Sequence, residues 1–586
     1  RELGEPKDYP VMGFTLDLGA VPGYSTSCCC RNCHTRYYPN SYVHNNATTR
    51  SYYLQDNIPE FIHSAEHFYT SADLCELFAN MMATAWTSGT NCARIYNTSI
   101  SKTALEPFMP TNWPSLKMDV DDVYNSFFLH ALLLDHLERG ELLELRHDAP
   151  SQAGRLRPAL EACNFRMAGT GQEEWNHIRD LCCYIYRDDD GQWVYLRSNV
   201  TDSLTMEHFC CTVHDCQNRL RSVKDSFCPE HQPLKKQCCV TACTATAEVG
   251  FRTCTITEHR DAELYHYQRG KDMFQLKDRL QRAKDDSSPT SSRLSGSQFE
   301  TTATGTDLLP VAFDIESPWE TTTSRPNGSH AAAVDSDDDG ETEYVCEGKS
   351  PNGNKVIKAF FGRKSTHNEQ LSIYSCGVGA GRASFFGSEA PNAVREFWMK
   401  LYPTRASLPG VLWHDNNCSI VKIMLRNDPD EHHRDYFEDI ALPVDVFHFK
   451  CKHKETDLDC GTNCNPYRWP ELRTEDGKWR FNSSAAERIN AWFGGFQSIV
   501  REMTVERYNF FLDEMIKRRN RTLVQDLRRR GKHPNNLPRA MLLDGYEADA
   551  MELSADDYAA LVSEGMVGIG EQLPEPYEYD DMPALI

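Results

Sequence analysis

Long apolar runs are missing from this chain. Nothing in its 586 residues approaches the ~20 consecutive apolar side chains needed to cross a bilayer, so no membrane partner is expected. Positive charge is also short: 62 Lys and Arg stand against 85 Asp and Glu, a formal net charge of -23. That excludes a uniformly basic nucleic-acid coat but not a local basic patch. Two stretches nearly lack bases. Residues 285–344 hold only Arg293 and Arg325 among Ser, Thr and acids, including the run Asp335-Ser-Asp-Asp-Asp339. Such a segment cannot bury enough apolar surface to order itself and reads as a disordered acidic linker. Beyond Arg539 there is no Lys or Arg, and residues 540–586 read as an acidic tail. The chain opens on Arg1 rather than Met and shows no signal peptide, so a fragment or a processed chain is expected. Without a secretory signal, the 23 Cys, many beside His, read as metal-bound thiolates of a reducing compartment rather than disulfides.

What is present is concentrated between Cys210 and His259. Two half-patterns repeat there. The first is Cys211-x4-Cys216-x11-Cys228-x2-His231, and the second is Cys238-x4-Cys243-x10-Cys254-x4-His259. Val213 and Val240 occupy the same offset in each half, as an internal duplication requires. Three thiolates and one imidazole fill a tetrahedral Zn²⁺ site with no open position, so the element is structural. A disulfide cluster does not call for histidines at ligand spacing. Cys210 and Cys239 are left over and compete as ligands. The block has no cross-braced C-x2-C pairs, which argues against a RING-like adaptor. Two further groups are candidates: Cys30-x2-Cys33, half a zinc ribbon, and His453, Cys460 and Cys464, which would clamp the loop before the last helix.

Around this block the pattern is α/β. Residues 1–70 read as an irregular N-terminal cysteine cluster and 71–185 as an α-helical region, with helices expected after Ser71 and over 120–145. Gln192–Val200 is rich in aromatic and β-branched residues and reads as a strand ending at Thr201-Asp202. A helix is expected over 258–283. Val356–Phe361 and Leu371–Cys376 are expected to pair, Pro391–Leu401 to form a helix opened by proline, Gly410–His414 a strand, and Thr504–Arg530 a long helix. Strand, insertion, strands, helix, strand and helices describe a mixed sheet with helices on it.

Asp202 and Asp415 both stand at the carboxyl ends of expected strands, where α/β sheets place ligands and catalytic groups. Glu487 opens a helix. Three carboxylates so supplied can hold two Mg²⁺ ions for phosphodiester cleavage. Rival readings exist: strand-end turns for the aspartates, and for Glu487 a capping box with Ser484. Asp445 competes for the second acid position. The long helix ends in Lys517, Arg518 and Arg519, then Arg528, Arg529 and Arg530, a basic contact surface expected to meet DNA phosphates.

The run TDSLTMEHFCCTVHDC…FCPEH…GFRTC…EHR, from Thr201 to Arg260, resembles the cysteine-cluster module found with the Kyakuja-Dileera-Zisupton (KDZ) transposases of fungi. GVLWHDNNCS (410–419), PVDVFHFKCKHKETDLDC (443–460) and NSSAAERINAWFGGFQSIVREM (482–503) resemble later blocks of the same proteins. CRNCHTRYY and EFIHSAEHFYTSADLCELFANMM, between Cys30 and Met82, resemble a second accompanying cluster. The resemblance implies a ribonuclease-H-like core whose first strand (192–209) is followed by an inserted zinc module (210–260), with the rest of the core over 345–535. It implies Asp202, Asp415 and Glu487 as catalytic acids, structural Zn²⁺, Mg²⁺ if catalytic, a nuclear location, and DNA as the partner; a homo-oligomer is compatible. A DNA transposase or transposase-derived protein is the first expectation. A non-catalytic zinc-dependent DNA- or chromatin-binding protein on a degenerate nuclease fold is the second.

Overall fold

The computed structural model describes residues 3–53, 57–101, 109–110, 113–187, 193–241, 243–269, 359, 361, 363–426, 431–451, 457–532 and 534–543. Two compact units divide the chain, Arg1–His208 with Thr366–Ile586, and Phe209–Ser365. The expected linker, the far half of the 258–283 helix and nearly all of the acidic tail lie outside the described residues.

The first seventy residues are not the irregular knot their composition suggested. β1 (Leu3–Thr15) and β2 (Gly19–Cys30) form a long antiparallel hairpin that closes at Thr15 and Gly19. Gly19 has φ 75°, a left-handed turn that glycine takes without penalty. Strands β3 (Arg36–Tyr37), β4 (Ser41–Val43), β5 (Thr49–Tyr52), β6 (Phe61–Ala65), β7 (Phe68–Ser71) and β8 (Glu144–Arg146) complete an eight-stranded sheet ordered β6-β7-β1-β2-β3-β4-β5-β8. Helices α1 (Ala72–Ala85), α2 (Val120–Arg139) and α3 (Gln152–Met167) share a core with this sheet through Met12, Phe14, Leu74, Phe78, Phe127 and Leu156. α2 starts on a capping box between Asp119 and Asp122 and stops at Gly140, short of the expected end, because residues 144–146 join the sheet instead.

A second sheet is built around β11 (Trp193–Leu204), preceded by β9 (His177–Ile178) and β10 (Cys183–Arg187). The smaller unit then contributes β12 (Phe209–Cys210), α4 (Thr257–Arg269) and β13 (Lys364–Ser365). The larger unit resumes with β14 (Asn368–Tyr374), β15 (Gly379–Phe385), α5 (Pro391–Leu401), β16 (Val411–Trp413), α6 (Ala485–Gly494), α7 (Val505–Arg529) and β17 (Asn535–Asn536), which pairs with β9. β11 runs antiparallel to β14, from Asn199 opposite Tyr374 to Leu204 opposite Glu369, and parallel to β16, from Ser198 opposite Val411 to Val200 opposite Trp413. β15 pairs with β14, and Ala441 bridges Val411 in parallel. The strand order is therefore β15-β14-β11-β16, with the Ala441 segment beyond β16; β10 flanks the first half of β11. The expected pairing of 371–376 with 356–361 is corrected: β14 takes β11 and β15 as partners, and within that earlier segment Ala359 bridges Val240.

Both faces of this sheet are covered. Val411 and Trp413 join one core with Val200, Leu371 and Phe511, while Leu412 between them joins the other with Trp398, Tyr402 and Ile420. That two-residue alternation explains the wholly apolar strand. α7 buries Tyr508, Phe511, Leu512, Met515 and Ile516. It is also held by ions: Arg382 of β15, 5% exposed at its side chain, pairs with Glu369 at 2.9 Å and with Asp513 at 2.9 Å. Among the described residues no helix is long and apolar enough to cross a membrane.

Candidate functional site

The smaller unit brings all eight expected ligands into two groups, Cys211, Cys216, Cys228 and His231, and Cys238, Cys243, Cys254 and His259. In the first, Nδ1 of His231 lies 3.5, 3.4 and 3.3 Å from the sulfurs of Cys211, Cys216 and Cys228, and the last two sulfurs are 3.9 Å apart. In the second, Nδ1 of His259 lies 3.5 Å from Cys238 and 3.2 Å from Cys254, with Cys243 and Cys254 3.9 Å apart. A tetrahedral ion with Zn–S of ~2.3 Å and Zn–N of ~2.0 Å has S···S edges of about 3.8 Å and S···N edges of about 3.5 Å. The two groups could hold metal ions, and their edges are consistent with zinc. The duplication extends to the backbone: the amide of Cys216 donates to Val213 O at 3.2 Å, and that of Cys243 to Val240 O at 3.0 Å.

These thiols are the cores of the smaller unit. Cys211, Cys216 and Cys228 pack with Val213, Leu220 and Phe227; Cys238 and Cys254 pack with Val240, Ala262, Ala359 and Phe361. So little apolar surface would leave bound ions, where the groups hold them, as the main source of order. Cys210 and Cys239 belong to neither group. Burial pushes each of their thiols up to about 12, which suits small apolar side chains rather than ligands.

In the larger unit, Asp202 sits on β11 with its backbone opposite Leu371 of β14. Its Oδ1 accepts from the Ser203 amide at 2.8 Å, and its Oδ2 from Asn490 Nδ2 of α6 at 2.7 Å. Burial raises its carboxyl to about 6; the charges of Asp415 and Glu389 add to the rise, while the Ser203 amide and His414 oppose it. Asp415 lies two residues past the end of β16 and is half exposed, beside His414, whose Nδ1 lies 3.2 Å from Thr201 O. Glu389 accepts from Ser203 Oγ at 3.0 Å and Asn368 Nδ2 at 3.0 Å. Glu487 is exposed on the first turn of α6, one turn before Asn490. The capping box weighed for it does not form: Ser484 makes no side-chain cap bond and instead donates to Asp445 Oδ2 at 3.3 Å. The three carboxylates of Asp202, Asp415 and Glu487 do not all come within 4.8 Å of one another. Asp445 is occupied elsewhere, accepting from the amides of Phe447 and His448 at 2.9 and 3.0 Å. Despite burial, bonds from His448 and Ser483 hold its carboxyl down to about 2.

The basic helix splits in two. Lys517 pairs with Glu514 at 3.4 Å and Glu138 at 3.5 Å; Arg518 with Glu76 at 2.7 Å and Glu514 at 2.8 Å. Arg519 donates to Gly377 O at 2.8 Å and lies over the Trp492 ring. The expectation of a DNA-facing surface at these three is corrected: they are turned inward, because α7 is packed on most of its length. Arg528, Arg529 and Arg530 are exposed. At the N-terminus Cys30 ends β2, and Cys33 lies 3.2 Å from Thr35 Oγ1; among the described residues they join no group of three ligands. Cys460 and Cys464 are buried with Val444 beside Cys418, one helical turn apart, and their expected partner His453 lies outside the described residues. Sequence reasoning missed Asn490 and Glu389, which have no local signal; His414 adjoins Asp415 and was within reach.

Residues 1–100 match a family described as a CxC5-like cysteine cluster associated with KDZ transposases, and residues 200–265 match one described as a CxC6-like cysteine cluster associated with KDZ transposases. No curated protein and no solved structure matches the chain.

Proposed function

We propose that this chain, a cysteine-cluster protein associated with KDZ transposases, acts on DNA in the nucleus as a transposase or transposase-derived nuclease. The observation that carries the reading is the strand order β15-β14-β11-β16-Ala441, antiparallel on one side of β11 and parallel on the other, with α5 (391–401) between β15 and β16. That is the order of a ribonuclease-H-like sheet, in which acids from the central strand and its parallel neighbour face one another. Asp202 and Asp415 occupy those positions. Glu487 on α6 would be the third acid. Their all-oxygen donor set suits Mg²⁺. Bound divalent ions would activate a water or 3′-hydroxyl and steady the leaving oxygen. Asn490 orients Asp202 through its 2.7 Å bond, and burial, with the charge of Asp415 added, keeps Asp202 easily protonated until a cation arrives. The paired Cys3His groups would carry structural Zn²⁺, and Arg528–Arg530 would contact phosphates.

The test is nicking of supercoiled DNA with Mg²⁺ or Mn²⁺. Activity lost in Asp415→Ala and Asp202→Ala, at unchanged DNA affinity, supports the reading. One arrangement favours a second reading, a non-catalytic zinc-dependent DNA-binding protein: Asn490 of α6 meets Asp202, and the three acids do not all converge within 4.8 Å. DNA binding that needs no added Mg²⁺ or Mn²⁺ but is lost on zinc removal, with no nicking by the unaltered chain, would select it.

A further inference from the structure

The larger unit holds a buried group that neither cysteine cluster includes. His177 of β9, Cys182 immediately before β10 and Cys376 in the turn between β14 and β15 bring their ligand atoms within 4.8 Å of one another, and all three are buried. The imidazole is fully buried and already oriented. Its Nδ1 lies 3.0 Å from Glu174 Oε2, and as a donor to that carboxylate it leaves the lone pair on Nε2. Nε2 has no oxygen or nitrogen partner, and the Cys376 sulfur faces it. A buried ring nitrogen that faces two sulfurs and is backed by a carboxylate on its other nitrogen is the arrangement of a metal-ligating histidine with its supporting acid.

We propose that His177 Nε2 and the thiolates of Cys182 and Cys376 bind a further soft divalent ion of the zinc class. Two thiolates balance the charge of such an ion, and sulfur with imidazole selects zinc over magnesium or calcium. The three ligands come from three separate elements. His177 lies on the strand paired with β17, Cys182 leads into β10, and Cys376 occupies a turn closed by Tyr374 N to Val378 O at 2.8 Å. Asp202 lies opposite Leu371, midway along β14, whereas Cys376 lies past its end at Tyr374. The ion would therefore staple the end of the sheet away from the acids and take no part in chemistry there. This inference does not rest on the nuclease reading.

Elemental analysis of the full chain and its variants tests it. Cys376→Ser and His177→Gln should each lower the zinc content by one atom per chain, independently of one further atom lost in Cys254→Ser. An unchanged content in folded Cys376→Ser, or an intact mass short of two hydrogens from a Cys182–Cys376 disulfide, overturns it. Should both variants fail to fold, anomalous diffraction at the zinc edge from the unaltered chain decides: a peak among the three side chains is expected, and its absence overturns the proposal.

Discussion

Replacing Cys228 by Ser tests the metal reading most sharply. Cys228 is fully buried, 3.3 Å from His231 Nδ1 and 3.9 Å from the Cys216 sulfur, two of its three edges in the first tetrahedron. The apolar residues around that site, Val213, Leu220 and Phe227, are only partly buried. Full burial of such a side chain stabilises by about 1.5–3 kcal/mol, so these three together supply only a few kcal/mol. A structural zinc contributes about 10–16 kcal/mol near neutral pH. The metal dominates, and its loss should melt residues 211–231. The second site has its own ligands and its own apolar partners, Val240, Ala262, Ala359 and Phe361, and should keep its ion. Among the described residues, the cores of the larger unit draw on none between 209 and 365, so its thermal transition should be unchanged. Zinc content, limited proteolysis mapped by mass, and calorimetry on the full chain read all three effects. One atom lost per chain, with new cleavage confined to 211–231, is the expected result. Retention of the full zinc content would refute the reasoning, and loss of two atoms would refute the independence of the halves.

Other perturbations test the larger unit. Burial, reinforced by Asp119, raises the Asp122 carboxyl from 3.8 to about 7, so its contribution to stability is complete below about pH 4 and lost as pH rises through about 7. Asp122→Asn should therefore stabilise at about pH 8 by up to ~4 kcal/mol and progressively less toward acid, in denaturant melts at several pH values; a pH-independent effect would count against it. Arg382→Met leaves Glu369 and Asp513 buried without their partner and should cost about 3–5 kcal/mol in the same melts. Changing Arg528, Arg529 and Arg530 to Gln should reduce the slope of log DNA affinity against log salt by up to ~0.9 per residue, whereas Lys517→Gln should alter stability rather than that slope.

The two Cys3His groups were legible because each is local: all eight residues fall between Cys211 and His259, at the spacing of metal ligands. The helix 391–401 was legible from its opening proline, and β16 from an apolar run bounded by Gly410 and Asp415. The eight-stranded sheet was not. β1 and β2 carry Pro6, Pro10, Pro22, Gly13 and Gly23 inside the strands, and residues 3–9 of β1 are largely exposed, so the alternation that marks a half-buried strand is absent. The inward turn of Lys517, Arg518 and Arg519 depends on Glu138, Glu76 and Gly377, partners more than a hundred residues away that no local pattern reveals. Glu487 carried a capping-box pattern that its own helix does not use, because Ser484 donates to Asp445 instead.

The place where the smaller unit departs from the chain has a consequence of its own. Its first and last residues face each other, Phe209 opposite Ser365 and Cys210 opposite Lys364, while in the larger unit Thr366 N donates to His208 O at 2.7 Å. The excursion leaves and returns at neighbouring points of the chain. A gene could acquire it, shed it, or trade it for another module by one in-frame exchange, and the order of strands in the larger sheet would not register the change.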